Sequence, residues 1–150
     1  MAGAEIDDID IQILDALEAD GRLSMRQLAE QVHISRANAY ARVERLTRSG
    51  IITGYTALVD QVARGLGTSA YLTMNVRQTD WREIHRQLRA LPGIEHIALV
   101  GGEFDVVMLV RARDNSDLRR LVLDEIQGIP GVLSTRTLLV FEESLPSRQP

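Results

Sequence analysis

The stretch from Ser24 to Gly50, SMRQLAEQVHISRANAYARVERLTRSG, carries two helix starts and one helix stop. Ser24 is followed three residues later by Gln27, the spacing of a reciprocal cap, and Leu23 stands where it can staple onto Leu28. Leu28, Ala29 and Val32 give that helix a buried face. After His33 and Ile34, Ser35 caps a further helix running to about Ser49, with Ala39, Val43 and Leu46 as its apolar stripe and Gly50 as its stop. Upstream, Ile6, Ile9, Ile13 and Leu17 recur at steps of three and four, with Leu14 beside them, over about residues 7–19; Asp20-Gly21 ends that segment. Two short capped helices joined by a tight turn behind a supporting helix predict a helix-turn-helix.

The side of the Ser35 helix opposite its apolar stripe carries Ala37, Ala41, Glu44 and Arg48, flanked by Asn38, Tyr40 and Arg45, with Arg36 and Arg42 nearer the core edges. Alanines let a backbone enter a major groove, asparagine can read adenine, and arginine can read guanine or grip phosphate. Ser35, Arg36, Ala37, Asn38, Tyr40, Ala41, Arg42 and Arg45 are therefore the expected contacts to double-stranded DNA. A merely solvated amphipathic helix would also carry arginines, but the distribution of charge weighs against it. The chain of 150 residues has a formal net charge of −4, yet residues 1–20 hold seven acids and no base. Residues 22–48 hold six arginines against Glu30 and Glu44, a local balance of +4. At physiological salt a field decays over roughly 8 Å, so a basic surface can attract phosphate on an acidic protein.

Past the helices, Gly54–Asp60 (GYTALVD) reads as a short strand and QVARGLG as a linker. The second half contains an internal repeat. LPGIEHIALV (91–100) and IPGVLSTRTLLV (129–140) both start a strand with apolar-Pro-Gly-apolar. Each follows a helix, spaced by Trp81, Ile84, Leu88 and Leu91 in one case and by Leu118, Leu121, Val122 and Ile126 in the other. Each helix follows a strand, SAYLTMNV (69–76) and FDVVMLVRA (104–112). The sum is a ferredoxin-like βαββαβ domain, and the fold class is α+β. The expected division is a helix-turn-helix domain at 1–54, a hinge strand and linker at 55–67, the βαββαβ domain at 68–141 and a tail at 142–150. Within DVVMLV, Val106, Met108 and Val110 point one way and Val107 and Leu109 the other. Two helices cover only one sheet face, so Val107 and Leu109 are expected in a homodimer interface.

Composition bounds the rest. Charged content of 25% and hydrophobic content of 45% are ordinary for a globular protein. No apolar run is long enough to span a membrane, the acidic start does not resemble a secretory signal, and there is no cysteine for disulfides or thiolate sites. All 17 basic residues are arginine, a mark of genome base composition. A bacterial cytoplasmic protein is the expectation. His33, His85 and His96 fall in a turn, a helix and a strand without metal-like spacing, so no metal site and no cofactor are expected. Ser24 and Ser35 have no base nearby and read as caps, not nucleophiles; Trp81 reads as core. The acidic run before Ile13 reads as the solvated start of the first helix, where carboxylates favour the dipole.

The segments IDDIDIQILDALEADGR, LAEQVHISRANAYARVERLTRSGIITGYTALVD, LVGGEFDVV and IPGVLSTRTLLVFEE, in this order and spacing, resemble the Lrp/AsnC (feast/famine) family of transcriptional regulators over essentially the whole chain. The resemblance implies an N-terminal DNA-binding domain, a hinge, a C-terminal ligand-sensing domain, dimers that assemble further to tetramers or octamers, and amino-acid effectors. His33 stands where the family usually has glycine, which implies a turn strained at positive φ, and Thr47 replaces a usual acid. The stretch GGEFD (101–105) reads on its own as a Gly-rich hairpin turn. The resemblance implies that it helps form an effector pocket at a subunit interface, from Gly101, Gly102, Glu103 and Asp105 with hydroxyls of Ser134, Thr135 and Thr137. There Asp105 would pair with an effector ammonium and glycine amides would hold a carboxylate. Two other readings stand beside this one: an architectural DNA-binding protein indifferent to ligands, and an enzyme on the ferredoxin-like half, which no acid–base pair or cofactor loop supports.

Overall fold

Each of the first three helices begins at the cap its sequence supplies. In the computed structural model, which describes residues 6–143, Asp7 caps α1 (Asp8–Ala19) in a reciprocal box with Asp10. Ser24 caps α2 (Met25–Gln31) in a box with Gln27, and the Ser35 side chain accepts the Asn38 N–H at the start of α3 (Arg36–Arg48). Such caps answer helix N–H groups that would otherwise lack partners, at about 1 kcal/mol each. The C-terminus of α3 closes with Ile51 N–H on the Leu46 carbonyl and Gly50 N–H on Thr47, with Gly50 at φ 76°. His33, in the turn between α2 and α3, is the one non-glycine residue at positive φ among those described, at 58°. Ile13, Leu28, Ala39 and Leu46 are wholly buried and, with Ala16 and Val32, form the first core.

Contacts divide the described chain into two units, one up to Leu58 and one from Val59. The strand expected over Gly54–Asp60 is absent from the described residues. The segment carries no strand assignment and no ladder hydrogen bonds, and Tyr55, Leu58 and Val59 stand exposed. Alternation of apolar and polar residues gives a strand its faces, but a strand also requires a neighbour. Asp60 to Leu66 then make a single turn, with Arg64 N–H on Asp60 O and Leu66 N–H on Gln61 O.

The second unit runs β1 (Thr68–Val76), a 3₁₀ turn (Gln78–Asp80), α4 (Trp81–Ala90), β2 (Ile94–Leu99), β3 (Val106–Ala112), α5 (Asn115–Arg120) and β4 (Val132–Leu139). The sheet order is β2-β3-β1-β4, antiparallel throughout, the βαββαβ arrangement read from the sequence. Ala70, Leu72, Met74, Val106, Met108 and Val110 pack beneath Ile84, Leu88, Leu118, Val122 and Ile126. The other face carries Val107 and Leu109 opposite Thr73 and Tyr71, with Leu138 beyond Tyr71 on β4.

The two Pro-Gly turns play equivalent parts. Gly93 (φ 83°) and Gly131 (φ 94°) each offer a carbonyl to an arginine N–H on a neighbouring segment, Arg111 and Arg77, both at 2.7 Å. A Cβ on Gly93 would sit 2.3 Å from the Arg111 carbonyl oxygen, so this return into β2 accepts only glycine. The second helix departs from a plain α pattern: α5 widens into a π turn over Leu121–Ile126, with Gln127 N–H reaching the Val122 carbonyl. The wider turn lets the adjacent Leu121 and Val122 both enter the core. No helix among the described residues is long and apolar enough to cross a membrane. Positions 144–150 of the expected tail, and Glu5 of the acidic run, lie outside the described residues.

Candidate nucleic-acid interface and effector hairpin

The outer side of α3 is open where the alanines predict. Arg36, Ala37, Asn38, Tyr40, Ala41, Glu44 and Arg48 are exposed, Tyr40 at 63%, while Ala39 and Leu46 are wholly buried beneath. Ser35 is exposed at the cap, with its hydroxyl on the Asn38 N–H at 3.2 Å. Arg36 has no ion-pair partner among the described residues.

Arg42 and Arg45 are placed differently from the sequence expectation. The Arg42 guanidinium turns to α1, where Nη1 donates to Asp7 Oδ1 and Oδ2 and to Asp10 Oδ1, each at 2.8 Å. Arg45 Nη2 donates to Asp10 Oδ2. Only 20% of the Arg42 side chain is exposed, and 1% of Asp10. The acidic start of α1 is thus not simply a solvated face: Asp10 is a buried acceptor, ion-paired across the unit to the helix carrying the arginines. Burial alone would push the Asp10 carboxyl up. The Asp7 N–H, then Arg45 and Arg42, outweigh that and hold it at about 2. Asp7 is lowered by the same Arg42 bond, and Arg42 is raised by it. Asp7 and Asp10 therefore answer two of the four excess charges of residues 22–48 in space, while Glu30 and Glu44, already counted in that balance, pair with Arg26 and Arg48. Reading charge segment by segment misses this, since the partners lie more than 30 positions apart.

The hairpin between β2 and β3 is pinned by its own acid. Asp105 N–H donates to the Met74 carbonyl at 3.1 Å, and its carboxylate accepts the Val76 N–H at 2.9 Å. The carboxylate thus continues the β1 ladder past the end of β3, with Gln78 Nε2 at 3.5 Å from its other oxygen. Gly101 and Gly102 have open space where a side chain would project, and Gly102 adopts φ 133°. Glu103 is exposed. Arg136 of β4, which the sequence reading passed over, lies 5.2 Å above the Phe104 ring and 3.8 Å from Glu103 Oε1.

The three hydroxyls expected to share the pocket do not converge. Ser134 pairs in register with Asn75 and lies 3.4 Å from its amide on the open sheet face. Thr135 points to the helix face, where Gln127 Nε2 donates to it at 2.7 Å, and Thr137 follows it at the strand period of two. The strand's own alternation separates Ser134 from the two threonines. Elsewhere, a shallow depression of about 450 Å³ between α4 and β2 is lined by His85, Arg89, Ile94, Glu95, His96 and Ile97.

Comparison with known proteins follows this division. A winged helix-turn-helix DNA-binding model matches residues 6–53, and the Lrp/AsnC ligand binding domain model matches residues 69–150. The leucine-responsive regulatory protein of Escherichia coli K12 is 35% identical over 144 residues, covering 94% of this chain and 88% of that protein. Escherichia coli AsnC superposes with a TM-score of 0.85 at 26% identity, over 95% of this chain and 97% of the other. The feast or famine regulatory protein of M. tuberculosis complexed with L-methionine does so at 0.87 and 28%, over 97% and 99%. A methionine complex of a Neisseria meningitidis transcriptional regulator gives 0.89 and 26%, over 97% of each. A capped helix-turn-helix, a four-stranded antiparallel sheet under two helices and matches spanning both halves lead to one conclusion: the chain belongs to the Lrp/AsnC family, a transcriptional regulator with a DNA-binding and a ligand-binding domain.

Proposed function

We propose that the chain grips double-stranded DNA as a homodimer through the outer side of α3, and that an amino acid bound at the 101–105 hairpin alters this grip or the assembly. The observation that carries the reading is the exposed strip of Arg36, Ala37, Tyr40 and Ala41, in which the Arg36 guanidinium has no ion-pair partner among the described residues. Small residues allow close approach to the groove floor, and Arg36 supplies the contact to guanine or phosphate. Asn38 lies beside the strip; Arg42 and Arg45 support it from within.

The apolar sheet face of Val107, Leu109, Tyr71 and Leu138 favours a second copy as its cover, with tetramers or octamers built from such dimers. The methionine complexes of two structural neighbours favour an amino acid as effector. Glu103 and the second oxygen of Asp105 suit its ammonium group; the amides of Gly101 and Gly102 with Arg136 suit its carboxylate. The protein acts in the cytoplasm, by binding alone, without a catalytic step.

The test is selection of duplexes from a randomised pool, then anisotropy titration of the selected duplex over a salt series with each of the twenty amino acids. A selected motif, and an amino acid that changes its affinity, are expected. Binding without sequence preference or amino-acid response would instead favour an architectural protein.

A further inference from the structure

Arg42 is exposed over only 20% of its side chain and is fixed on its inner side by three bonds to Asp7 and Asp10. On its outer side, Arg42 Nε donates to Asn38 Oδ1 at 3.1 Å, one turn earlier on α3. The Asn38 backbone is held too, by the Ser35 hydroxyl. Its NH₂ group has no partner among the described residues. We propose that Arg42 is a positioning residue for DNA recognition: anchored on the buried carboxylate of α1, it takes the Asn38 oxygen and turns the Asn38 NH₂ outward, so that Asn38 meets the duplex as a hydrogen-bond donor.

The inference rests on α3 being the DNA-reading helix. A free asparagine offers acceptor and donor together, the combination that matches adenine N6 and N7. With its oxygen engaged by a guanidinium, the outward edge of Asn38 is a pure donor, suited to purine N7. A guanidinium is fitted to this double duty, because its Nε and Nη groups donate in a fixed planar fork. Lysine at the same position can keep the charge near Asp7 and Asp10, but its single nitrogen cannot also sit against Asn38. Pre-ordering the amide in the free protein removes a cost that would otherwise fall on binding.

The experiment compares wild type, Arg42→Lys, Asn38→Ala and the double variant on the duplex that wild type selects from a randomised pool, and on its single-base variants. Thermal melting and the NMR signals of the Asn38 side-chain amide are recorded for each protein that retains Asn38. Arg42→Lys should melt close to wild type, loosen the Asn38 amide, and lower discrimination at one base position about tenfold, the size of one base contact. Asn38→Ala should lose the same discrimination at the same position, and the double variant no more than either single change. A 7-deazapurine at that position in the wild-type duplex should reproduce the loss. Additive losses would mean that Arg42 reads DNA directly, and full discrimination in Arg42→Lys would mean that it positions nothing; either overturns the proposal. If Arg42→Lys fails to fold, Asn38→Ala and the deazapurine still decide whether Asn38 is a donor to N7 at all. A wild type that selects no motif overturns the DNA reading itself, a distinguishable failure.

Discussion

Replacing Asp10 with asparagine isolates the charge of one buried carboxylate, since the amide keeps the size and one acceptor oxygen. Holding the Asp10 carboxyl at about 2 instead of 3.8 makes folding favour the ionised form by about 2 kcal/mol at neutral pH. Asp10→Asn should destabilise the first unit by about that amount, or lower its melting point by roughly 8–16 °C on the scale of a small domain. The pH dependence carries the sign. The folded-state value is depressed, so the stabilisation is present above the unfolded value of 3.8 and disappears as pH falls through about 2. Wild type and variant should therefore differ fully at pH 7, less near pH 3, and hardly at all below pH 2. Amide hydrogen exchange over residues 8–19 and 36–48 reads the first unit without interference from the second. Equal protection at pH 7, or a gap that survives undiminished at pH 2, would refute the argument that the Asp10 charge ties α1 to α3.

Four further outcomes are expected. Arg36→Gln should reduce the slope of log affinity against log salt by about one phosphate's worth, read by anisotropy, while leaving the melting point unchanged. Leu109→Asp should convert the assembly to smaller species in size-exclusion chromatography, because an unpaired charge in an apolar interface costs several kcal/mol. Gly93→Ala should destabilise the second unit by about 3 kcal/mol or more, through its contact with the Arg111 carbonyl and its positive φ; Trp81 emission in urea reports it. Asp105→Asn retains an acceptor for the Val76 N–H, so the hairpin should persist in NMR spectra while calorimetric binding of the amino acid weakens. Unaltered binding would shift the ammonium site to Glu103.

What was legible in the sequence is what depends on near neighbours. Ser24 with Gln27, Ser35 before its alanines and Gly50 at the end of α3 are signals three or four residues wide, and the helices start and stop where they indicate. The paired Pro-Gly turns disclosed the βαββαβ order because each performs the same local task. Features requiring distant partners were hidden. Gly54–Asp60 alternates like a strand, but no residue in it reveals whether an edge lies beside it. Asp10 looks like any first-turn acid until α3 is folded against it. The separation of Ser134 from Thr135 and Thr137 was available from the period of two alone; the grouping by hydroxyl chemistry obscured it. The Asp105 carboxylate is a similar case, since its partner, Val76, belongs to another strand.

The pairing of the arginines also bears on how the protein reaches its site. Up to Leu58 the described chain holds eight carboxylates against six guanidiniums, and four of those guanidiniums already lie against carboxylates. Seen from beyond a Debye length, such a unit offers no positive funnel to a duplex. Its encounters should run at the unsteered rate, roughly 10⁵–10⁷ M⁻¹s⁻¹, short of the 10⁸–10⁹ reached by steered partners. Sliding along non-specific DNA, which relies on loosely held counter-charge, should be brief. A regulator of this kind finds its operator by repeated collision and holds it by close fit.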